Sequence, residues 1–148
     1  MPIDITTLTP TVSVGGGIFH HSNALELVSK GITHVINMQG EYDDGPIFEG
    51  TGVKTLWVPF HDVMKAPPKE SMQQMKQFIQ KAMTKPNYKL LGHCAAGVHR
   101  GPMAALLILC MTGISIENAE DIILSKRLIA NFPKVYYDAV KQAIQDET

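Results

Sequence analysis

The sequence predicts an α/β fold in which one mostly parallel central β-sheet is flanked by α-helices. Short β-rich apolar runs at residues 33–38, 54–60 and 89–91 alternate with longer segments whose apolar side chains recur every three or four positions. This alternation favours a parallel sheet with its ligand site at the carboxyl ends of the strands. The 148 residues, 45% of them hydrophobic, suffice for one core, so we expect a single domain spanning residues 1–148.

In the first half of the chain, residues 11–14 and 18–19 are predicted to pair as two short strands, turned by the three glycines between them. A helix follows from residue 22 or 23 to residue 30, and Gly31 is its stop signal. Residues 33–38 form the next strand, residues 39–52 a polar loop, and residues 54–60 another apolar strand.

In the second half, a helix over residues 69–85 carries its apolar residues on one face and ends before Pro86. The strand 89–91 leads into a small-residue loop, and residues 102–112 form an apolar helix that stops at Gly113. Two more helices follow, one capped by Ser115 and a last amphipathic one that starts at residues 131–133.

The composition argues against several classes of partner. A net charge of −1 and an isoelectric point near 6.6 leave no basic face for nucleic acid. The longest apolar run, residues 103–111, is too short to cross a membrane, and the N-terminus lacks the pattern of a secretion signal. Two cysteines do not make a disulfide framework. We therefore expect a cytoplasmic protein without nucleic-acid or membrane partners.

Cys94 and Arg100 enclose five mostly small residues at a predicted strand-to-helix turn. Backbone N–H groups of such a loop converge on an anion, and the positive end of the helix dipole adds to the attraction. A helix N-terminus and nearby cations favour the thiolate form of a cysteine, so Cys94 is a candidate nucleophile. The planar guanidinium of Arg100 can hold two phosphate oxygens at once. The residues predicted to bind phosphate are Ala95, Ala96, Gly97, Val98, His99 and Arg100.

Two further residues suit this turn. Gly97 can adopt a positive φ, which lets the backbone curl around an anion. Pro102, at the predicted first position of the helix, gives up an N–H that the helix does not use.

Asp62 is the candidate general acid. It directly follows the strand 54–60, in a Pro- and Lys-rich segment, and is therefore expected at the same edge of the sheet as the loop. A carboxyl group at that position can protonate the leaving oxygen of a phosphate ester. Asp43 and Asp44, in the polar loop, are alternative proton donors.

The pattern His-Cys-x-x-Gly-x-x-Arg, preceded by an aspartate that follows a strand, resembles the cysteine-dependent protein tyrosine phosphatase superfamily. The chain length and the separation between Asp62 and Cys94 are similar to those of its compact dual-specificity branch, and the resemblance covers nearly the whole chain. It implies a phosphatase-like fold with residues 94–100 as the phosphate loop. It also implies hydrolysis of phosphate monoesters with no metal or cofactor.

The resemblance further implies a role for each matching residue. Cys94 attacks phosphorus to form a phosphocysteine, Arg100 and the loop amides hold the phosphate oxygens, and Asp62 protonates the leaving oxygen. Asp62 then activates water. His93 orients the loop and favours the thiolate, while His99 lies either at the rim or in solvent. Asn131 braces the loop, caps the last helix, or does both.

Gly101 departs from the pattern of the family, which usually has Ser or Thr after the arginine. That hydroxyl stabilises the cysteine thiolate when the phosphoenzyme is hydrolysed. A lost hydrogen bond to a charged group costs about 1.5–3 kcal/mol, or about ten- to a hundredfold in the affected step. We therefore expect slow hydrolysis of the phosphoenzyme.

The function expected from these residues is dephosphorylation of phosphotyrosine and of phosphoserine or phosphothreonine in proteins. The chain is too short to build a deep phosphotyrosine-only pocket, and Ala95, Ala96 and Val98 stand where lipid-directed relatives usually place lysines. One alternative is a phosphate-binding interaction module that has lost turnover. Another is a thiol-based arsenate reductase or sulfurtransferase, which needs a resolving thiol, and Cys110 inside an apolar helix is poorly placed for that role.

Overall fold

The computed structural model describes residues 3–146, which form five strands and five α-helices. The strands are β1 (Ile5–Thr9), β2 (Val12–Gly15), β3 (His34–Gln39), β4 (Lys54–Phe60) and β5 (Leu90–His93). The helices are α1 (His21–Ser29), α2 (Lys69–Met83), α3 (Arg100–Met111), α4 (Ile116–Lys126) and α5 (Lys134–Gln145), and a short 3₁₀ helix covers Gly45–Phe48.

The strands form one sheet in the order β1-β2-β5-β3-β4. Strands β2, β5, β3 and β4 run parallel, whereas β1 is antiparallel to β2. Val14 of β2 and Ile36 of β3 both lie opposite Gly92 of β5. The α/β, mostly parallel fold class predicted from the sequence is therefore confirmed. The four parallel strands bring their carboxyl ends to one edge of the sheet, with β5 between two neighbours.

The predicted pairing of residues 11–14 with residues 18–19 is wrong. Strand β2 pairs instead with β1, where Ile5 lies opposite Gly15. The sequence of β1, Ile-Thr-Thr-Leu-Thr, is rich in β-branched residues that suit an edge strand. The glycines after β2 do not turn a hairpin. They run beside the phosphate loop, where the Gly17 N–H donates to the Ala95 carbonyl at 2.9 Å.

Helix α3 lies at the centre of the core. Every residue from Arg100 to Leu109 is buried, since α3 packs against β2, β3 and β5 on one side and against α2, α4 and α5 on the other. Helix α1 and the 3₁₀ helix cover the opposite face of the sheet, around Val35 and Leu27. Side chains alternate along β3, so that Val35 joins the cluster under α1 while Ile36 joins the larger cluster around α3.

The helix boundaries depart from the predictions by a few residues. Helix α2 ends at Met83 rather than at residue 85, and α3 begins at Arg100 rather than at Pro102. Pro102 is thus in the first turn of α3, where a backbone N–H has no intrahelical acceptor in any case. Ser115 caps α4 as predicted, since its side chain accepts a hydrogen bond from the Asn118 N–H at 3.2 Å. Within residues 3–146, no helix combines the length and apolar character needed to cross a membrane.

We expect the core around α3 to be sensitive to truncation. Leu107→Ala removes a side chain with 0% exposure and should lower the free energy of unfolding by about 2–5 kcal/mol. Leu124→Ala is the matched control, because Leu124 on α4 is 39% exposed and its truncation should cost about 1 kcal/mol or less. Urea denaturation of both variants measures the difference, and equal losses would contradict this description of the core.

Candidate active site

Cys94 lies at the junction of β5 and α3, at the base of the phosphate loop. Its side chain is buried, and its sulfur accepts a hydrogen bond from the Gly97 N–H at 3.3 Å. The Cys94 N–H donates to the Gly15 carbonyl at the end of β2, at 3.4 Å. Because α3 begins at Arg100, the sulfur also faces the positive end of a helix dipole. Both features favour a negative charge on the sulfur.

The loop amides are open to a ligand. Among residues 3–146, the backbone N–H groups of Ala95, Ala96, Val98 and His99 donate no hydrogen bond. Most backbone N–H groups of a folded protein bond to other protein groups or to water, so four that lack a protein partner within one short loop are available to an acceptor from solution. An anion with several oxygens fits these donors.

Arg100 is anchored by the ends of two strands. Its Nη1 donates to the Phe60 carbonyl at the end of β4 at 2.8 Å and to the Met38 carbonyl in β3 at 3.3 Å. The carboxylate of Glu41 lies 3.4 Å from Nη1 and from Nη2. The Nε atom is buried and has no partner within residues 3–146. The guanidinium is therefore held in place with its Nε–H left for a ligand.

Glu41 shows the electrostatic effect of this cation. Partial burial by itself raises the pKa of the Glu41 carboxyl, but the hydrogen bond and the charge of Arg100 outweigh it and hold that pKa below its ordinary value. Glu41 is thus ionised at neutral pH. The sequence predicts residues 39–52 only as a polar loop and gives Glu41 no role.

Asp62 lies in the loop after β4, as its position in the sequence predicts. Its Oδ2 accepts a hydrogen bond from His99 Nδ1 and its Oδ1 accepts one from the Tyr136 hydroxyl, both at 2.7 Å. Burial alone raises the pKa of the Asp62 carboxyl, but these hydrogen bonds and the charges of His99 and Arg100 hold it below its ordinary value. Burial and the bond to Asp62 raise the pKa of Tyr136 to about 12.

Asp44 and Asp43, the alternative proton donors, have other contacts. Asp44 is buried, and its Oδ2 lies 2.6 Å from Nε2 of the equally buried His93. Asp43 lies outside this pair, and its side chain accepts a hydrogen bond from the Gly45 N–H at 2.9 Å. His93 therefore has a carboxylate partner behind the phosphate loop, which the sequence does not reveal.

Arg127, after α4, braces the phosphate loop from the outside. Its Nε donates to the Gly97 carbonyl at 2.8 Å, and its Nη2 binds the Asp4 carboxylate at 2.7 Å. Gly97 has a φ of +70°, and a Cβ at this position would collide with the Arg127 guanidinium. Only glycine satisfies both the backbone conformation and this close approach.

Asn131 contacts the loop through its backbone alone. Its N–H donates to the Val98 carbonyl at 2.9 Å, while its side chain is exposed and has no hydrogen bond within residues 3–146. The predicted capping role is wrong, because α5 begins at Lys134 and its N-cap residue is Pro133. Asn131 precedes that N-cap residue in the chain, so its side chain does not cap α5.

The sequence does not reveal the supporting contacts of four residues, namely Glu41, Asp44, Arg127 and Tyr136. Tyr136 lies in the last helix, for which the sequence predicts only an amphipathic character. A buried tyrosine hydroxyl generally needs a hydrogen-bond partner, so a tyrosine on the buried face of this helix was the sequence signal for a polar contact. For the other three, a single charged residue in a loop has no local pattern that separates it from a solvated one.

A strand-loop-helix cradle with a cysteine at its base and an anchored arginine is the type of site that defines cysteine-dependent phosphatases. Residues 18–137 match the family model described as "Dual specificity phosphatase, catalytic domain", and the chain belongs to this family. The predicted resemblance to the dual-specificity branch is therefore confirmed.

Individual relatives agree with this assignment. Dual specificity protein phosphatase 26 of Rattus norvegicus is 35% identical over 92 residues, which are 61% of this chain and 44% of the rat protein. The Homo sapiens protein of the same name gives the same identity and coverage, 35% over 92 residues. The match thus spans less than half the length of these relatives.

Solved structures share the fold at low sequence identity. PTPMT1 in complex with PI(5)P superposes with a TM-score of 0.82 at 19% identity, covering 95% of this chain and 94% of that one. Human tyrosine phosphatase-like serine/threonine/tyrosine-interacting protein gives a TM-score of 0.77 at 18% identity, with 96% of each chain covered.

Gly101 is packed tightly at the start of α3. A Cβ at this position would lie 3.2 Å from each of three backbone atoms, Cys94 N, Gly15 O and His93 Cα. A serine there has no flexible neighbour to displace, so its hydroxyl and its steric cost must be measured separately.

We therefore compare Gly101→Ser with Gly101→Ala, which adds the same Cβ without a hydroxyl. If the hydroxyl stabilises the departing Cys94 thiolate, the serine variant should hydrolyse its phosphoenzyme about tenfold or more faster than the alanine variant. Rapid mixing with an aryl phosphate measures this as the slow phase after a burst of phenol. No burst in the natural protein, together with equal slow phases in the two variants, would contradict the expectation that Gly101 limits turnover.

Proposed function

We propose that the chain is a phosphoric monoester hydrolase that dephosphorylates proteins through a cysteinyl-phosphate intermediate. The observation that carries this proposal is the set of unpaired donors around the Cys94 sulfur. Four free loop N–H groups and the buried, unpaired Nε of Arg100 together supply the hydrogen bonds that the oxygens of a phosphoryl group accept. These donors are fixed before a ligand arrives, which favours the charge that develops during transfer.

In the first step, the Cys94 thiolate attacks phosphorus, and the sulfur–phosphorus bond forms while the bond to the leaving oxygen breaks. Arg100 and the loop amides stabilise the charge on the other three oxygens. Asp62 donates a proton to the leaving oxygen. In the second step, Asp62 accepts a proton from water as that water attacks phosphorus, and the Cys94 thiolate and inorganic phosphate are released.

The supporting residues have separate tasks in this proposal. Glu41 and the Met38 and Phe60 carbonyls orient the Arg100 guanidinium. Asp44 orients His93, which precedes the nucleophile. The backbone of Asn131 and the side chain of Arg127 hold the outer side of the loop. None of these groups exchanges a proton with the substrate.

The proposed substrates are phosphotyrosine and phosphoserine or phosphothreonine residues in proteins. The side chains of Asp62, beside the loop, and His99, within it, are 30% and 24% exposed, so a phosphate on a short side chain can reach them. A cytoplasmic location suits this chemistry, because a reducing compartment keeps a catalytic thiol reduced.

Arsenate reduction or sulfur transfer receives less support from the second thiol. Cys110 lies in α3, and burial together with the charge of Glu117 raises its pKa to about 11. A thiol that stays protonated at neutral pH is a poor nucleophile toward an oxidised Cys94.

The first test is release of inorganic phosphate from p-nitrophenyl phosphate. Cys94→Ser should abolish release, since a serine hydroxyl is not ionised at neutral pH, whereas Cys110→Ser is the matched control and should retain activity. A chelator should leave the rate unchanged and vanadate should inhibit competitively. Activity that survives Cys94→Ser would rule out this mechanism, and binding of phosphopeptide without release would favour the interaction module.

The second test concerns the proton donor. Asp62→Asn should lower the rate on poor leaving groups, such as phosphoserine peptides, by about a hundredfold or more, but much less on aryl phosphates that depart without a proton. Asp43→Asn is the control, because Asp43 binds only a nearby backbone amide. Equal losses on both substrate types would show that Asp62 is not the acid.

A further inference from the structure

His99 is the residue of the phosphate loop whose side chain contacts Asp62. Its Nδ1 lies 2.7 Å from Asp62 Oδ2, and its ring is 24% exposed at the mouth of the site. The sequence leaves its role open between the rim and solvent. In the structure the imidazole instead points at the carboxyl group that is the candidate proton donor.

The hydrogen bonds of Asp62 favour its ionised form. Each carboxylate oxygen accepts one, from His99 on one side and from the Tyr136 hydroxyl on the other. Hydrogen bonds donated to a carboxylate stabilise its charge. A general acid, however, must hold a proton when the leaving oxygen departs. The free protein therefore holds its candidate acid without the proton that the reaction needs.

One of the two donors can provide that proton. The Tyr136 hydroxyl, with a pKa raised to about 12, keeps its proton at neutral pH. Histidine is the side chain that ordinarily gains and loses a proton between pH 5 and pH 8. His99 is already in direct contact with Asp62, so a proton can pass between them over a single hydrogen bond.

We propose that His99 and Asp62 act as one proton-transfer pair, in which the imidazolium of His99 is the source of the proton that Asp62 delivers to the leaving oxygen. The inference rests on the proposed phosphatase function. His99 acts through Asp62 and is thus a positioning and proton-supplying residue, whereas Asp62 is the group that contacts the substrate.

The proton balance closes over the two steps. Asp62 Oδ2 first takes the Nδ1 proton of His99, and the leaving oxygen then takes that proton from Asp62 as its bond to phosphorus breaks. The pair is left as a carboxylate and a neutral imidazole. When water attacks the phosphocysteine, Asp62 accepts a proton from the water and returns one to His99 Nδ1. The Cys94 thiolate, the imidazolium and the carboxylate are then restored.

The charges around the pair are compatible with this exchange. Arg100 lies on the phosphate-loop side, with Glu41 from the segment after β3 against its guanidinium. Tyr136 approaches from α5, and the Cys94 sulfur lies at the base of the loop. The cation of Arg100 disfavours an imidazolium, while the Asp62 carboxylate in direct contact favours it.

The test is the pH dependence of kcat for His99→Gln on a phosphoserine peptide and on p-nitrophenyl phosphate. Glutamine can still donate a hydrogen bond to Asp62 but cannot provide a proton. The alkaline limb of the profile on the peptide should move to lower pH by about one unit or more, with about a tenfold loss at pH 7 and a much smaller loss on the aryl ester. His61→Gln is the matched control, because His61 precedes Asp62, is exposed and makes no side-chain hydrogen bond within residues 3–146.

A double variant distinguishes this proposal from a purely structural role of His99. Adding His99→Gln to Asp62→Asn should cause no further loss on the peptide, since His99 acts through Asp62. An unchanged pH profile for His99→Gln, or a further loss in the double variant, would overturn the pair while leaving the phosphatase function intact. Failure of the proposed phosphatase mechanism would be recognised separately, because activity would then survive Cys94→Ser.

Discussion

The junction between β5 and α3 is the constraint on which the rest of the site depends. A buried parallel strand ends at His93, and a helix that is buried over almost its whole length begins at Arg100. The residues between them must turn in a small space with their N–H groups pointing inward. Those N–H groups have no helical acceptor, and the loop carbonyls are taken up by Arg127, Gly17 and Asn131 from outside. The carbonyl oxygens of the loop are thus bonded to neighbouring segments, while its N–H groups remain available to a ligand.

Contacts between basic and acidic side chains around this loop follow a common arrangement. Each basic side chain that belongs to the loop or supports it meets a carboxylate from a distant part of the chain. The pairs are Arg100 with Glu41, His93 with Asp44, His99 with Asp62, and Arg127 with Asp4. They differ in exposure, since the Asp44 side chain is 1% exposed while those of Glu41 and Asp4 are 49% and 56% exposed. Buried pairs of this kind fix geometry more than they add stability, because desolvation offsets much of their attraction.

The fold itself tolerates large changes in sequence. Solved structures with TM-scores of 0.82 and 0.77 share only 19% and 18% of their residues with this chain. The sheet order, the central helix and the strand-loop-helix turn can be built from many apolar sequences of suitable volume. His99 faces the candidate acid, and Gly101 packs against backbone atoms where a side chain has little room.

The sequence by itself determined the features that depend on residues close together in the chain. It predicted β4 at residues 54–60, the turn from Cys94 to Arg100, and Asp62 after a strand, because strand patterns, turn residues and loop spacings are local. It did not predict β1 as the partner of β2, because a four-residue strand next to a glycine run is compatible with more than one neighbour. The tertiary structure alone decided the partners of the loop residues. Glu41 reaches Arg100 across 59 positions, Tyr136 reaches Asp62 across 74, and Asp4 reaches Arg127 across 123. Such contacts follow from the order of strands in the sheet and the packing of α5 against α3, and no local pattern of residues encodes them.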